Sequence, residues 1–379
     1  MKKIFTICLV TILLIGNISV AKASTSNTIE VSLDNIREIM IDNNLDMKSA
    51  QNNLDKAIET YNDAKDAYDD EDEAYDKAQK EYNDNKNSLD PTSPTYADEL
   101  ASLKKPNNTA LNGAKDKKES AKYNLKTARI QYEQKVENLV FSAQKEYIDY
   151  LSTVSNKEVK ENKIDLNEKK LNIYKIQYES GFLSKKKYDS YITDNKDSSN
   201  DLEKSNNDED LALKKLHNTL GIDYGTKIIF NTDIESDLEE VLNINFNNDL
   251  EEMLENNVDI KIQNLTIDKM DDESDTSDYD SDNAEISLEQ KNNSAELDFR
   301  QQYNTLMASY NSIKSSYDKL KVKLSDINTM HMKYSYGFAS KNEVESLNVD
   351  FDEQNSTFQD ERKQFYLNYL RYIQMKEGY

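Results

Sequence analysis

The sequence predicts an all-α protein: long antiparallel coiled-coil helical hairpins in two tandem repeats. Three observations carry that expectation. Helix breakers are scarce, with 7 Gly and 3 Pro in 379 residues. Apolar residues recur at seven-residue spacing over long stretches. Two separate motifs appear in the same order in both halves of the chain.

Residues 1–23 are expected to be a secretory signal peptide. Lys2 and Lys3 give a positive start, an apolar stretch runs from Ile4 to Ile15, and Ala21-Lys22-Ala23 offers a small-residue cleavage site. The apolar stretch is shorter than the roughly 20 residues a spanning helix needs, which argues against an uncleaved anchor. The single cysteine, Cys8, lies inside this segment without a lipobox context, so no disulfide or thiol chemistry is expected of the mature chain. Removing the three lysines of the segment takes the net charge from −24 to −27. A chain so acidic repels nucleic acid and anionic lipid. No cofactor is expected.

From Met47 the first seam begins. Met47, Leu54, Tyr61, Tyr68, Tyr75, Tyr82 and Leu89 step by sevens, with Ala50, Ala57, Ala64 and Ala78 as the companion row. A helix is expected from Ala114 to Tyr178, with Leu125, Ala128, Tyr132, Leu139, Ala143 and Tyr147 on one face. A more polar helix follows from Tyr188 to Leu220. The stricter second seam is Phe299, Tyr303, Leu306, Tyr310, Ile313, Tyr317, Leu320, Leu324, Ile327, His331 and Tyr334, and its period implies left-handed supercoiling. The tyrosine rows are read as seam residues whose hydroxyls reach water. His217 and His331 stand apart from ligand-type residues, so both are read as structural.

The repeat shows in two places. Met40-Ile-Asp-Asn-Asn-Leu-Asp-Met-Lys48 matches Met253-Leu-Glu-Asn-Asn-Val-Asp-Ile-Lys261. Tyr178-Glu-Ser-Gly-Phe-Leu-Ser-Lys185 matches Tyr334-Ser-Tyr-Gly-Phe-Ala-Ser-Lys341. The Asn pairs suit a helix break and restart. In the second motif Gly181 and Gly337 can end a helix in the left-handed conformation, and Ser184 and Ser340 can cap the next. Each turn then exposes one aromatic, Phe182 or Phe338. The expected division is residues 24–230 for the first repeat, 231–245 for a linker and 246–379 for the second repeat.

These motifs, in this order and duplicated, resemble the TolC-like family of outer-membrane efflux proteins. The resemblance runs from about Val31 to about Met375. Its first copy closes at Leu220-Gly221 and its second, less clearly, near Met375 to Gly378. The resemblance implies a homo-oligomer, a trimer whose helices form a tunnel, working with a periplasmic-adaptor-like (membrane fusion) protein and an inner-membrane transporter. It places Gly181, Phe182, Ser184 and Lys187, and Gly337, Phe338, Ser340 and Glu343, at partner-contacting tips. The family often has an acidic residue three places after the turn Ser; here Glu343 fits and Lys187 departs. The family also inserts strand pairs that close into a membrane barrel. The corresponding segments here, Ser88 to Gly113 and about Asp271 to Ser294, lack alternating apolar strands. No formed barrel is therefore expected, and the chain suits the envelope of an organism without an outer membrane. A secreted structural or adhesive coiled-coil protein without transport activity is the alternative.

Asp278-x-Asp280-x-Asp282-Asn283 with Glu289 matches a calcium-loop spacing, although Glu285 stands where an apolar residue is usual. In so acidic a stretch a solvated linker is the simpler reading. No Gly-rich phosphate loop, Cys/His cluster or compact Ser/His/Asp set is present, so no enzyme is expected.

Overall fold

A computed structural model describes residues 28–231, 241–272 and 277–379. The expected signal peptide and most of the expected linker lie outside these residues. The elements in order are β1 (Thr28–Val31), α1 (Ile36–Asn43), α2 (Leu45–Ser88), α3 (Tyr96–Ser102), α4 (Thr109–Glu179), α5 (Lys185–Leu220), β2 (Lys227–Phe230), α6 (Phe246–Asn256), α7 (Val258–Asp272), α8 (Asp278–Ser335) and α9 (Lys341–Lys376). Among the described residues no helix is long and apolar enough to cross a membrane.

The fold is the predicted helical one, with one addition. β1 and β2 form a two-stranded parallel sheet in which Thr28 pairs with Lys227 and Val31 with Phe230. No described strands form a closed barrel. In the first half, α2 packs on the N-terminal part of α4, and α5 packs antiparallel on its C-terminal part. In the second half α7 and α9 take the corresponding places on α8.

Each half carries one apolar core at mid-height. The first gathers Val31, Ile36, Met40, Ala143, Tyr147, Leu216 and Leu220. The Tyr147 hydroxyl donates to the carbonyls of Val31 (3.2 Å) and Asn231, tying the ends of both strands. Burial pushes that phenol up to about 12. The second core gathers Val241, Met253, Phe299, Leu306, Phe365 and Tyr372. Val241, placed by sequence in the linker, is therefore a core residue.

The Asn-Asn breaks are explained by these cores. Asn44 ends α1 and caps α2, its Oδ1 accepting from the Met47 amide at 2.9 Å. Its Nδ2 donates to the Thr219 carbonyl at 2.6 Å, which fixes the end of α5. There Gly221 turns left-handed at φ 70°, and a Cβ on it would stand 2.5 Å from the Asn43 carbonyl carbon and oxygen. The second half does the same. Asn257 caps α7 through the Asp259 and Ile260 amides, and Gly378, at φ 98°, lies against the Asn256 carbonyl. Gly378 also accepts from the Val258 amide at 3.0 Å. The second copy thus closes as tightly as the first, although the sequence there looked weaker.

Other expectations are corrected. The acidic insert after Asp271 is short: α8 already starts at Asp278, with the Ser277 side chain accepting from the Asp280 amide. Asp278, Asp280 and Asp282 are thus helical, and successive residues point about 100° apart, so they do not form a loop. No described cluster of His, Cys, Asp or Glu could hold a metal ion. The first insert holds the short helix α3 between α2 and α4. The second seam is buried only in its upper part: Phe299, Leu306 and Ile313 are buried, while Tyr317, Leu324, His331 and Tyr334 are exposed within one chain. The first seam is only half-buried beyond Met47, and Ala78 is exposed. From residue 48 to residue 120 no side chain is fully buried. α2, of 44 residues, far outruns its counterpart α7, of 15, so the upper end of the first half is a two-helix spur roughly 40 Å longer than its partner.

Candidate partner-contacting tips

Two helical turns lie together at one end of the molecule. Lys163 with Glu353, Lys169 with Glu345 and Lys170 with Ser346 run antiparallel in step along α4 and α9, a register that brings the two turns to the same level. In the first, α4 ends at Glu179 and Gly181 adopts φ 79°. The Phe182 amide reaches back to the Gln177 carbonyl at 2.8 Å, and the Gly181 amide to Tyr178 at 3.0 Å. Ser184 then starts α5, its Oγ accepting from the Lys187 amide at 3.3 Å. In the second, Gly337 adopts φ 77°, the Phe338 amide reaches the Lys333 carbonyl at 2.8 Å, and Ser340 accepts from the Glu343 amide at 3.3 Å. A Cβ at Gly181 or Gly337 would meet nothing within 4 Å, so only the left-handed backbone calls for glycine there.

Such a turn satisfies the last carbonyls of one helix and the first amides of the next within a few residues, with Leu183 or Ala339 half-buried and the neighbouring aromatic turned outward. Phe182 and Phe338 are accordingly 85% and 82% exposed. Tyr336, Met332 and Ile176 add to the same apolar end, each more than half exposed. Both turns thus gather exposed apolar side chains at the same end.

The eight residues singled out from the sequence all fall on these two turns, and their polar members differ as the sequence suggested. Glu343 completes a capping box, its Oε2 accepting from the Ser340 amide at 2.7 Å and hydroxyl at 2.8 Å. The Ser340 backbone bond, then the hydroxyl bond and nearby Lys333, hold the Glu343 carboxyl below the usual carboxylate range. Lys187 cannot accept such bonds; its Nζ lies 4.8 Å from the centre of the Tyr191 ring.

A depressed folded value gives stability that is complete above the ordinary glutamate range and is lost as pH falls through the folded value. The protection of the amides at the start of α9, taken relative to their intrinsic exchange rates, is therefore expected to fall on acidification through that window. Glu343→Ala should show low protection there at every pH, while protection at the start of α5, capped by Ser184 alone, should not follow this titration. Equal acid sensitivity in both turns would contradict the assignment.

Sequence reasoning missed the tyrosines that brace the first tip. Tyr178 stacks on Tyr188 (ring centres 5.0 Å apart) and Tyr174 on Tyr191 (3.6 Å), joining α4 to α5. Their spacing was the available signal: 174 and 178 share one helix face, as do 188 and 191. The second tip lacks these stacks and buries Val344 instead.

No protein-family model and no curated protein matches the sequence. Solved structures do match in fold. The CmeC outer membrane channel of Campylobacter jejuni aligns at 9% identity with a TM-score of 0.60, covering 91% of this chain and 85% of that one. The outer membrane protein VceC of Vibrio cholerae aligns at 9% identity with a TM-score of 0.58, covering 91% and 96%. CusC, described in terms of transmembrane channel formation, aligns at 12% identity with a TM-score of 0.59, covering 95% and 96%. The chain has the TolC-like helical fold that these outer membrane channel structures share.

Proposed function

We propose that the chain is a non-enzymatic subunit of an envelope export or efflux assembly. Copies of it line a helical tunnel, and the tips at Gly181, Phe182, Ser184, Lys187, Gly337, Phe338, Ser340 and Glu343 contact an adaptor protein that links to an inner-membrane transporter. The pair of exposed phenylalanines on two like turns at one end is the observation that carries this reading. The fold likeness supports it, because those solved structures are channels. The two halves act as tandem repeats, residues 24–230 and 246–379.

A second reading is a secreted structural or adhesive protein. The observation favouring it is the helical spur that stands where the resemblance expects barrel strands. One experiment separates the two: co-purification with the adaptor and transporter from the producing cell, for the wild type and for Phe182→Asp with Phe338→Asp. The transport reading expects capture that the double substitution abolishes while helicity is unchanged. Absence of adaptor and transporter from the wild-type complex would favour the structural reading.

A further inference from the structure

Away from the tips, the second half holds a charged cavity. It encloses about 280 Å³ beside the second core, where α4, α6, α7, α8 and α9 converge. Two cations line it, Lys291 of α8 and Arg371 of α9. So do two carboxylates, Asp259 of α7 and Asp298 of α8. Among the described residues none of these four charges is in an ion pair, with one another or with anything else.

Arg371 is held in place by a buried relay. Its guanidinium lies 5.7 Å from the centre of the Phe141 ring, and one N–H donates to Gln374 Oε1 at 2.7 Å. Gln374 is only 7% exposed, and its Nε2 donates in turn to Asn138 Oδ1 at 3.4 Å. The buried amide thus ties α9 to α4 and sets the direction of the guanidinium. A guanidinium carries five N–H donors, so most of those on Arg371 are left over. Burial lowers the Arg371 pKa from its ordinary value, and no acid opposes that shift. A half-buried guanidinium with spare donors and no acid is suited to a carboxylate from outside. The first amides of α7 cannot do this work. Those of Asp259 and Ile260 are bound by Asn257 Oδ1, and that of Val258 by the Gly378 carbonyl.

The charges are sorted by depth. Lys291 and Arg371 are half-buried, whereas Asp259 and Asp298 are exposed. A simple anion would have to pass both carboxylates and approach a chain of net charge −24. A simple cation would meet the guanidinium inside. A molecule with a carboxylate at one end and an ammonium at the other satisfies both layers. The volume falls just below the roughly 300–1,000 Å³ of drug-sized sites, so the molecule is small. Met253, Met375 and Ala295 supply an apolar wall for an aliphatic side chain.

We infer that this cavity binds a small zwitterion of amino-acid size, its carboxylate on Arg371 and Lys291 and its ammonium at Asp259 and Asp298. Gln374 is a positioning residue that acts through Arg371. The site is separate from the two tips and does not depend on the transport reading.

The test is equilibrium dialysis of the whole protein at low salt with labelled L-leucine. Two halves of that molecule serve as comparisons: 4-methylpentanoate, without the ammonium, and 3-methylbutylamine, without the carboxylate. Leucine is expected to bind about tenfold or more tighter than either. Arg371→Gln should weaken leucine and 4-methylpentanoate alike, by about tenfold or more, and Arg371→Lys should keep part of the affinity. Asp259→Asn with Asp298→Asn should weaken leucine while strengthening 4-methylpentanoate, a crossed response that damage to the fold does not produce. Lys215→Gln removes an exposed cation of the first half and should change neither. No leucine bound at millimolar concentration overturns the inference. So does equal binding of leucine and 4-methylpentanoate to the wild type, or leucine binding that ignores Arg371→Gln.

Discussion

Replacing Gly221 with alanine is expected to lower the stability of the first half by about 3 kcal/mol or more. The left-handed backbone alone accounts for roughly 1–2 kcal/mol with a side chain present. The remainder comes from the new methyl, which would stand 2.5 Å from the Asn43 carbonyl. Backbone on both sides of the contact is held, by the Asn44 side chain on Thr219 and by the helix start at Met47, so neither side gives way cheaply. Gly181→Ala shares the left-handed φ without the overlap, and should cost only the first part. Urea unfolding of the two variants checks the difference; equal losses would show that the junction is not tight.

Tyr372→Ala is the second large effect, expected to cost about 3–5 kcal/mol. The ring is fully buried, stacked on Phe299 with centres 4.9 Å apart. Its hydroxyl donates to Asp249 Oδ2 at 2.8 Å, and Lys376 holds the other oxygen of that carboxylate at 2.9 Å. Burial and Asp249 both push the phenol far above its usual range, so it stays a donor throughout the accessible pH range. Tyr372→Phe keeps the ring and should cost about 1–2 kcal/mol, because Asp249 keeps Lys376. Thermal unfolding of the pair separates packing from the hydrogen bond, and a larger loss in the phenylalanine variant would reverse that ranking.

Local features were legible in the sequence and distant ones were not. The turns at Gly181 and Gly337 need only five or six neighbouring residues to form, so their glycine, phenylalanine and serine announced them. The sevenfold rows of Leu and Tyr announced the helices for the same reason. β1 and β2 are four residues each and pair across about 200 residues of chain, and such short runs carry little pattern of their own. The stretch from Asp278 looked like a solvated linker because an exposed helix face and an acidic coil share a composition. His331 and Tyr334 keep the seam's spacing and still stand in solvent, since spacing tells which face a residue occupies and not whether anything covers it.

The spur between residues 48 and 120 has a consequence for how the molecule comes apart. Long helices there meet through half-buried tyrosines, with no sealed interior of their own, while both apolar cores lie at mid-height. Opening the spur exposes little that was dry, so it carries a small free-energy cost and little cooperativity with the rest. Heat, urea or a protease should therefore take the molecule apart in two stages, first fraying the spur back toward Met47 and Ala121 and only later melting the body that holds the tips.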